Sequence, residues 1–542
     1  MTGVLERLRF IAELVPAEQI AVADDQAALT YPQLIAAIAS MSEWLAHQSA
    51  RVVAIQADNG IPWLLADLAC QVTGKVALPI PGFFQPGQVQ HCLKEAGAEL
   101  LLSDEQPEES STFDNLFDAP LGDPPAGHQQ LQPLYASRLN VISRSTMLPV
   151  GTGKITFTSG STGTPKGVCL STDHQWQVAE SLAEVIHLKS PRHLCLLPLA
   201  TLLENVAGIY APLLSAGTVL LPSAKVRGLQ GSSGLDSGRL LATISQQQPN
   251  SLILIPQLLM ALTYAARLGW QPPTSLRFIA VGGARVAPGL IDQARQLGLP
   301  VYEGYGLSEC GSVVALNTPS ADQPGSVGQI LPHCQVSLEE GEVWVSGASF
   351  LGYVGDPASW YPEQVASGDL GELEGERLTL YGRRKNLLIT AFGRNVSPEW
   401  IESELHLNPA IRLAVVVGDG RSHLSALINS DLNDQALEEW LATVNSQLPD
   451  YAQVKAWLRV APNDWQGLLT DNGRPRRDRI NQRFAELIDG LYLLDEALLD
   501  ETPLVEPGSD SLGEPESDSQ ASSETSGESE PLVASGARAT LH

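Results

Sequence analysis

Between residues 50 and 306 the chain alternates short apolar runs with longer amphipathic stretches. The runs at 51–56, 98–103, 154–158, 193–197, 218–221, 251–255, 276–281 and 300–303 span four to six residues each and read as strands. Apolar spacing over 61–73 and 289–297 fits helices between them. Strands that alternate with helices predict parallel βαβ units, and strands apolar throughout predict a sheet covered on both faces.

Polar interruptions divide this pattern. Residues 105–132, rich in Pro, Asp, Glu and Ser, read as a surface excursion, and the Gly-rich 228–238 as a mobile loop. From 325 to 380 short alternating runs such as Glu342-Val343-Trp344-Val345-Ser346 predict a β-rich subdomain that closes the large body. After Arg383 a small α+β unit follows, with helices expected at 398–405 and 434–448 and strands at 413–417 and 425–428. Residues 491–542 are Ser/Glu/Pro/Gly-rich and nearly devoid of aromatics, a composition that predicts a disordered acidic tail. The expected organisation is α/β: a large N-terminal domain of layered, parallel-rich sheets over 1–382, a small mobile α+β domain over 383–490, and the tail.

At 542 residues the chain is too long for one core. A net charge of −28 argues against nonspecific binding to nucleic acid or to an anionic membrane surface. The six cysteines are scattered without metal-ligand spacing and read as buried free thiols. No run of about 18 apolar residues occurs, so no transmembrane segment is expected and a cytoplasmic location follows by default.

The densest chemistry lies in Ile155-Thr156-Phe157-Thr158-Ser159-Gly160-Ser161-Thr162-Gly163-Thr164-Pro165-Lys166-Gly167, a polar run entered from a strand. Glycines let backbone N–H groups close on an anion, hydroxyls add donors, and Lys166 supplies a point charge, so the loop suits phosphate. It is not a Walker loop, whose glycine spacing differs. The run resembles the phosphate-binding signature of the acyl-adenylate-forming (AMP-binding) superfamily, and Glu303-Gly304-Tyr305-Gly306 further along looks like the wording of medium- and long-chain fatty acyl-CoA synthetases.

Four further segments resemble that superfamily in the same order, so the likeness spans roughly residues 20 to 485. Ala280-Val281-Gly282-Gly283-Ala284 and Tyr302-Glu303-Gly304-Tyr305-Gly306-Leu307-Ser308-Glu309 pair two Gly-rich strand ends, as at the carboxyl edge of a parallel sheet. The resemblance implies that Gly283, Ala284, Glu303, Gly304, Tyr305, Gly306 and Ser308 line a nucleotide pocket. It makes Glu309 a Mg2+ ligand, since a bare carboxylate would repel ATP there. Asp369 in Ser367-Gly368-Asp369-Leu370-Gly371 matches the ribose site, Arg383 the ribose and phosphate contact, and Lys385 the hinge between domains. In Asn472-Gly473-Arg474-Pro475, Arg474 stands where the family has its adenylation lysine. Charge is kept there, but reach and planarity change.

The reaction so implied joins an acid carboxylate to the α-phosphorus of ATP, with Lys166, Glu309-bound Mg2+ and Arg474 spreading charge, and then passes the acyl group to the thiol of CoA. Amino-acid-activating relatives carry an aspartate for the substrate ammonium. Here Leu197-Pro198-Leu199-Ala200-Thr201-Leu202-Leu203 offers no carboxylate before Glu204. With the apolar Leu258-Leu259-Met260 this favours a fatty acid. The alternatives are transfer to an acyl carrier protein, for which an acidic surface is no help, and a nucleotide-binding protein with weak catalysis because of Arg474.

Overall fold

A computed structural model of the chain describes residues 3–105, 117–121, 134–139, 146–158, 165–230, 234–470, 473–492 and 538–540. The chain divides into two units. The first contains residues 1–387 together with 467–476, and the second residues 388–466 and 477–542. The division falls five residues beyond the boundary expected at 382, and the 467–476 segment joins the first unit although it follows the second unit's strands.

Two large sheets dominate the described residues of the first unit. In the larger, Ile20–Asp24, Thr218–Leu221, Arg192–Leu194, Ser251–Leu254, Phe278–Val281 and Val301–Tyr305 lie side by side in parallel, as the strand–helix alternation predicts. Beyond Val301–Tyr305 the same sheet turns antiparallel through Ala315–Leu316, Gly328–Ile330, Arg377–Arg383, Val365–Glu374, Glu342–Gly347 and Cys334–Glu339. The stretch expected as a closing subdomain is therefore an extension of the main sheet.

The second sheet runs Gly352–Tyr353, Lys166–Ser171, Thr152–Thr158, Val76–Pro79, Val52–Gln56, Leu100–Ser103, Tyr135–Leu139 and Phe117–Leu121. Its centre is parallel and both flanks are antiparallel, so it is parallel at its core only. Val53 and Ile55 enter one apolar cluster while Val52 and Ala54 enter another, so this sheet is covered on both faces. That double covering removes the polar alternation a half-exposed strand would show. Helix Ile61–Thr73 buries nine of its thirteen residues and stops at Gly74, whose φ of 67° needs a residue without Cβ strain.

Other expectations shift locally. Within 105–132, residues 117–121 form a strand paired with Tyr135–Leu139, and the rest of that stretch beyond Glu105 lies outside the described residues. The expected loop at 228–238 contains a small hairpin, Leu229–Gln230 against Gly234–Leu235, and its residues 231–233 are not described. All six cysteines are free and buried.

The second unit has its own core, with helices Pro398–Leu405 and Asp434–Asn445 on the strands Ile411–Val417, Leu424–Ser430 and Val454–Arg459. Of the acidic tail, Arg538–Thr540 runs parallel to Val454–Arg459, while 493–537 and 541–542 lie outside the described residues. Among the described residues no helix is long and apolar enough to cross a membrane.

Candidate nucleotide and acyl site

Strand Thr152–Thr158 returns as Lys166–Ser171, with Thr158 directly opposite Lys166. The two strands form a hairpin, and these two residues stand at its mouth. Ser159, Gly160, Ser161, Thr162 and Gly163 lie outside the described residues. Gly167 has a packing role: a Cβ there would sit 2.7 Å from Val354 Cγ2 and 3.0 Å from Phe157 Cζ. The hairpin is latched by Gly352–Tyr353, which pairs with the return strand, and by the Val354 N–H donating to the Gly167 carbonyl at 2.9 Å. His91 Nε2 lies 3.0 Å from the Pro165 carbonyl oxygen.

Beneath the hairpin, Lys154 is buried, 2.8 Å from Asp67 Oδ1. Its ammonium also donates to Tyr210 Oη at 2.8 Å and to Asn205 Oδ1, while the Tyr210 hydroxyl donates to Asp67. Asn205 and Tyr210 come from a π-helix, Glu204–Tyr210. Burial pushes the lysine's pKa down and the Asp67 charge pushes it back up. This network ties the phosphate-loop strand to helix Ile61–Thr73, and nothing in the linear spacing of its members reveals it.

The second element is the edge where Phe278–Val281 and Val301–Tyr305 end side by side, Val281 opposite Glu303. Gly283 turns at a φ of 82°, and Gly306 admits no side chain, because a Cβ would fall 1.8 Å from the Ser312 carbonyl oxygen. Gly283, Ala284, Glu303, Gly304, Tyr305 and Gly306 therefore share one edge. Burial lifts Glu303 to about 7 against the opposing pull of Arg285 and the Val286 N–H.

From the antiparallel extension, Asp369 is placed opposite Arg383 in register. The Tyr305 hydroxyl donates to Asp369 Oδ2 at 2.7 Å, and Arg383 Nε lies 3.0 Å from Oδ1. Asp369 is only 6% exposed, so its charge is held by these partners. Arg384, next to Arg383 in the chain, is half-exposed and lies 3.4 Å from Glu342.

Ser308 and Glu309 occupy a single 3-10 turn, Ser308–Cys310, after Val301–Tyr305. The Tyr353 hydroxyl donates to Glu309 Oε1 at 2.9 Å, and Lys166 Nζ stands 5.3 Å from the Tyr353 ring centroid. Tyr353 thus joins two residues singled out from the sequence. It was missed because a Leu-Gly-Tyr tripeptide carries no signal of its own.

Within the first unit, Arg474 lies on a tight turn closed by Thr470 and donates through Nη2 to the Gly283 carbonyl. Asp369 and Arg383 are within its electrostatic reach. Lys385 sits in the turn Arg384–Asn386, three residues before the unit division at Leu388. Glu204, the first carboxylate after the Leu197–Leu203 run, is fully buried: Oε1 lies 3.0 Å from His193 Nε2 and Oε2 accepts the Leu197 N–H at 3.0 Å. Leu258 and Leu259 are core residues.

Comparison with known proteins bears on the family and the fold. The family model described as AMP-binding enzyme matches residues 11–354, and the one described as AMP-binding enzyme C-terminal domain matches 385–496. The chain is 26% identical over 529 residues to long-chain-fatty-acid–CoA ligase FadD15 of Mycobacterium bovis, covering 79% of this chain and 86% of that protein. It is 27% identical over 464 residues to a feruloyl-CoA synthase of an Amycolatopsis species, covering 79% and 89%. Among solved structures, o-succinylbenzoate CoA synthetase of Bacillus subtilis, in complex with its acyl-adenylate intermediate, superposes with a TM-score of 0.68 at 22% identity, covering 88% and 97%. The last likeness bears on the fold: mixed α/β, with a large N-terminal and a smaller C-terminal part.

Proposed function

The chain belongs to the AMP-binding enzyme family, and from that premise we propose that it converts a carboxylic acid to acyl-AMP with ATP and then to a thioester of CoA. The observation that carries this reading is the placement of Asp369, bonded by Tyr305 and Arg383, beside the Gly283 turn that Arg474 also reaches. A buried carboxylate fits ribose hydroxyls, and the cations beside it fit phosphate.

In this reading Tyr305, Asp369 and Arg383 hold the nucleoside, while Thr158, Lys166 and the glycine- and hydroxyl-rich sequence between them hold the phosphates. Arg474 fits the charge that develops when the acid carboxylate attacks the α-phosphorus. Glu309, a hard oxygen donor near Lys166, fits Mg2+, which binds through one or two carboxylates plus substrate phosphates. The ion, when bound, neutralises phosphate charge. Lys385 serves as the hinge between the two half-reactions.

For the acid, we favour a medium- or long-chain fatty acid. Glu204 is spent inside the protein on His193 and the Leu197 N–H, so an amino acid would bring an ammonium without that partner. The similarity to a feruloyl-CoA synthase, as high as that to the fatty-acid ligase, keeps an aromatic acid as a second reading. Pyrophosphate release with ATP, Mg2+ and CoA across fatty, aromatic and amino acids, with thioester product read by mass spectrometry, tests both. Acyl-CoA from fatty acids alone supports the first reading, and from aromatic acids alone the second. Pyrophosphate without acyl-CoA would point to a carrier-protein acceptor, and no release with any acid would overturn the ligase assignment.

A further inference from the structure

We propose that Tyr353 is a positioning residue of the adenylation site, one that fixes the Glu309 carboxylate for the metal through its hydroxyl and holds Lys166 at the hairpin mouth through its ring. This rests on the acyl-adenylate reading above, and it adds a residue that no sequence motif singled out.

Tyr353 links two elements of the site, the return strand that begins at Lys166 and the 3-10 turn that carries Glu309. Its backbone is fixed from three sides. It pairs with the return strand opposite Val168, its N–H donates to Ser359 Oγ at 2.9 Å, and its carbonyl accepts the Trp360 indole N–H at 2.9 Å. Gly352 before it has a φ of 129° and no room for a side chain, with Trp360 Cδ1 2.5 Å from where a Cβ would stand. Phe350 packs edge-on against the ring at 4.9 Å, and the Phe350 N–H donates to the Glu309 carbonyl at 2.6 Å. A phenol so held cannot follow Glu309 if the carboxylate turns, so the 2.9 Å bond from its hydroxyl selects one carboxylate orientation. With Oε1 engaged, the second Glu309 oxygen is the one left to face a cation. The ring face 5.3 Å from Lys166 Nζ is within cation–π range and stations the ammonium at the loop's end before any phosphate arrives.

Two variants separate the two roles. Tyr353→Phe keeps the ring and removes the hydroxyl, and Tyr353→Leu removes both. Mn2+ is titrated into each protein in the presence of a non-hydrolysable ATP analogue, and its occupancy is read by electron paramagnetic resonance. Hydrogen-bonding partners of metal-ligating carboxylates tune affinity by about 10–100-fold, so Tyr353→Phe should weaken Mn2+ binding by about tenfold. Metal-free analogue affinity should stay within about twofold for Tyr353→Phe and fall about two- to fivefold for Tyr353→Leu, the scale of one exposed cation–π contact. Unchanged or tighter Mn2+ binding in Tyr353→Phe, with a melting temperature equal to the parent's, would overturn the metal role. Equal analogue affinity in both variants would overturn the role of the ring. Absence of acid-dependent pyrophosphate release from the unaltered protein would instead overturn the ligase reading, so the two failures are distinct.

Discussion

The Tyr305 hydroxyl donates to Asp369 Oδ2 at 2.7 Å, across 64 residues of sequence, and so ties the end of the parallel sheet to its antiparallel extension. Arg383 takes the other carboxylate oxygen. Asp369 therefore has a fixed orientation before a nucleotide arrives, with lone pairs left for ribose.

Asp369→Asn removes the charge Arg383 pairs with and should raise the dissociation constant for ATP by about 10–100-fold, the scale of hydrogen bonds to a charged group. Tyr305→Phe removes one donor and should cost less, about three- to tenfold. Calorimetric titration with ATP checks both, and the reverse order of effects would contradict the assignment.

Arg474→Ala should lower acid-dependent pyrophosphate release by about 10²–10³-fold, the loss typical of one preorganised charge-stabilising donor. Transfer from synthetic acyl-AMP to CoA should fall by less than about tenfold, because that step breaks the acyl C–O bond and makes no bond to phosphorus, so the only charge it adds is that of the departing AMP phosphate. Parallel losses in both steps would argue for a structural role instead.

Glu303 gives a pH signature. Its carboxyl sits at about 7 in the folded chain against an ordinary value of 4.5, so the folded state binds more protons between those values. Stability is then full below pH 4.5 and declines as pH rises to about 7, by roughly 2–3 kcal/mol from this group alone. Urea unfolding at a series of pH values should show that decline in the parent and a flatter profile in Glu303→Gln.

Lys154→Met should destabilise the first unit by about 3–5 kcal/mol, because it leaves Asp67 charged and buried without its partner. The double variant Lys154→Met with Asp67→Leu should recover much of that loss. Denaturant midpoints of the two variants decide it. A single variant as stable as the parent would contradict a stabilising Lys154–Asp67 pair.

How much of this was legible in the chain depends on the range of the interaction. Strand Thr218–Leu221 and helix Ile61–Thr73 were placed with their observed bounds, since apolar runs and periodicity are local. The glycines at 283 and 306 were readable as tight turns because positive φ or lack of Cβ space leaves few other residues possible. Gly167 was read as helping the loop to close on an anion, yet its neighbours are Val354 and Phe157, and that packing is invisible without the second sheet.

The sequence by itself determined the αβ alternation, the order of the Gly-rich segments and the residue types that suit a nucleotide, because each depends on neighbours a few positions apart. Only the tertiary structure decided that Lys166 turns back opposite Thr158, that Tyr353 reaches Glu309, that 467–476 joins the first unit, and that Glu204 is consumed by His193. Each of these joins residues whose meeting is set by strand register and core packing, and a side chain's partner across such a distance has no local signature in the chain.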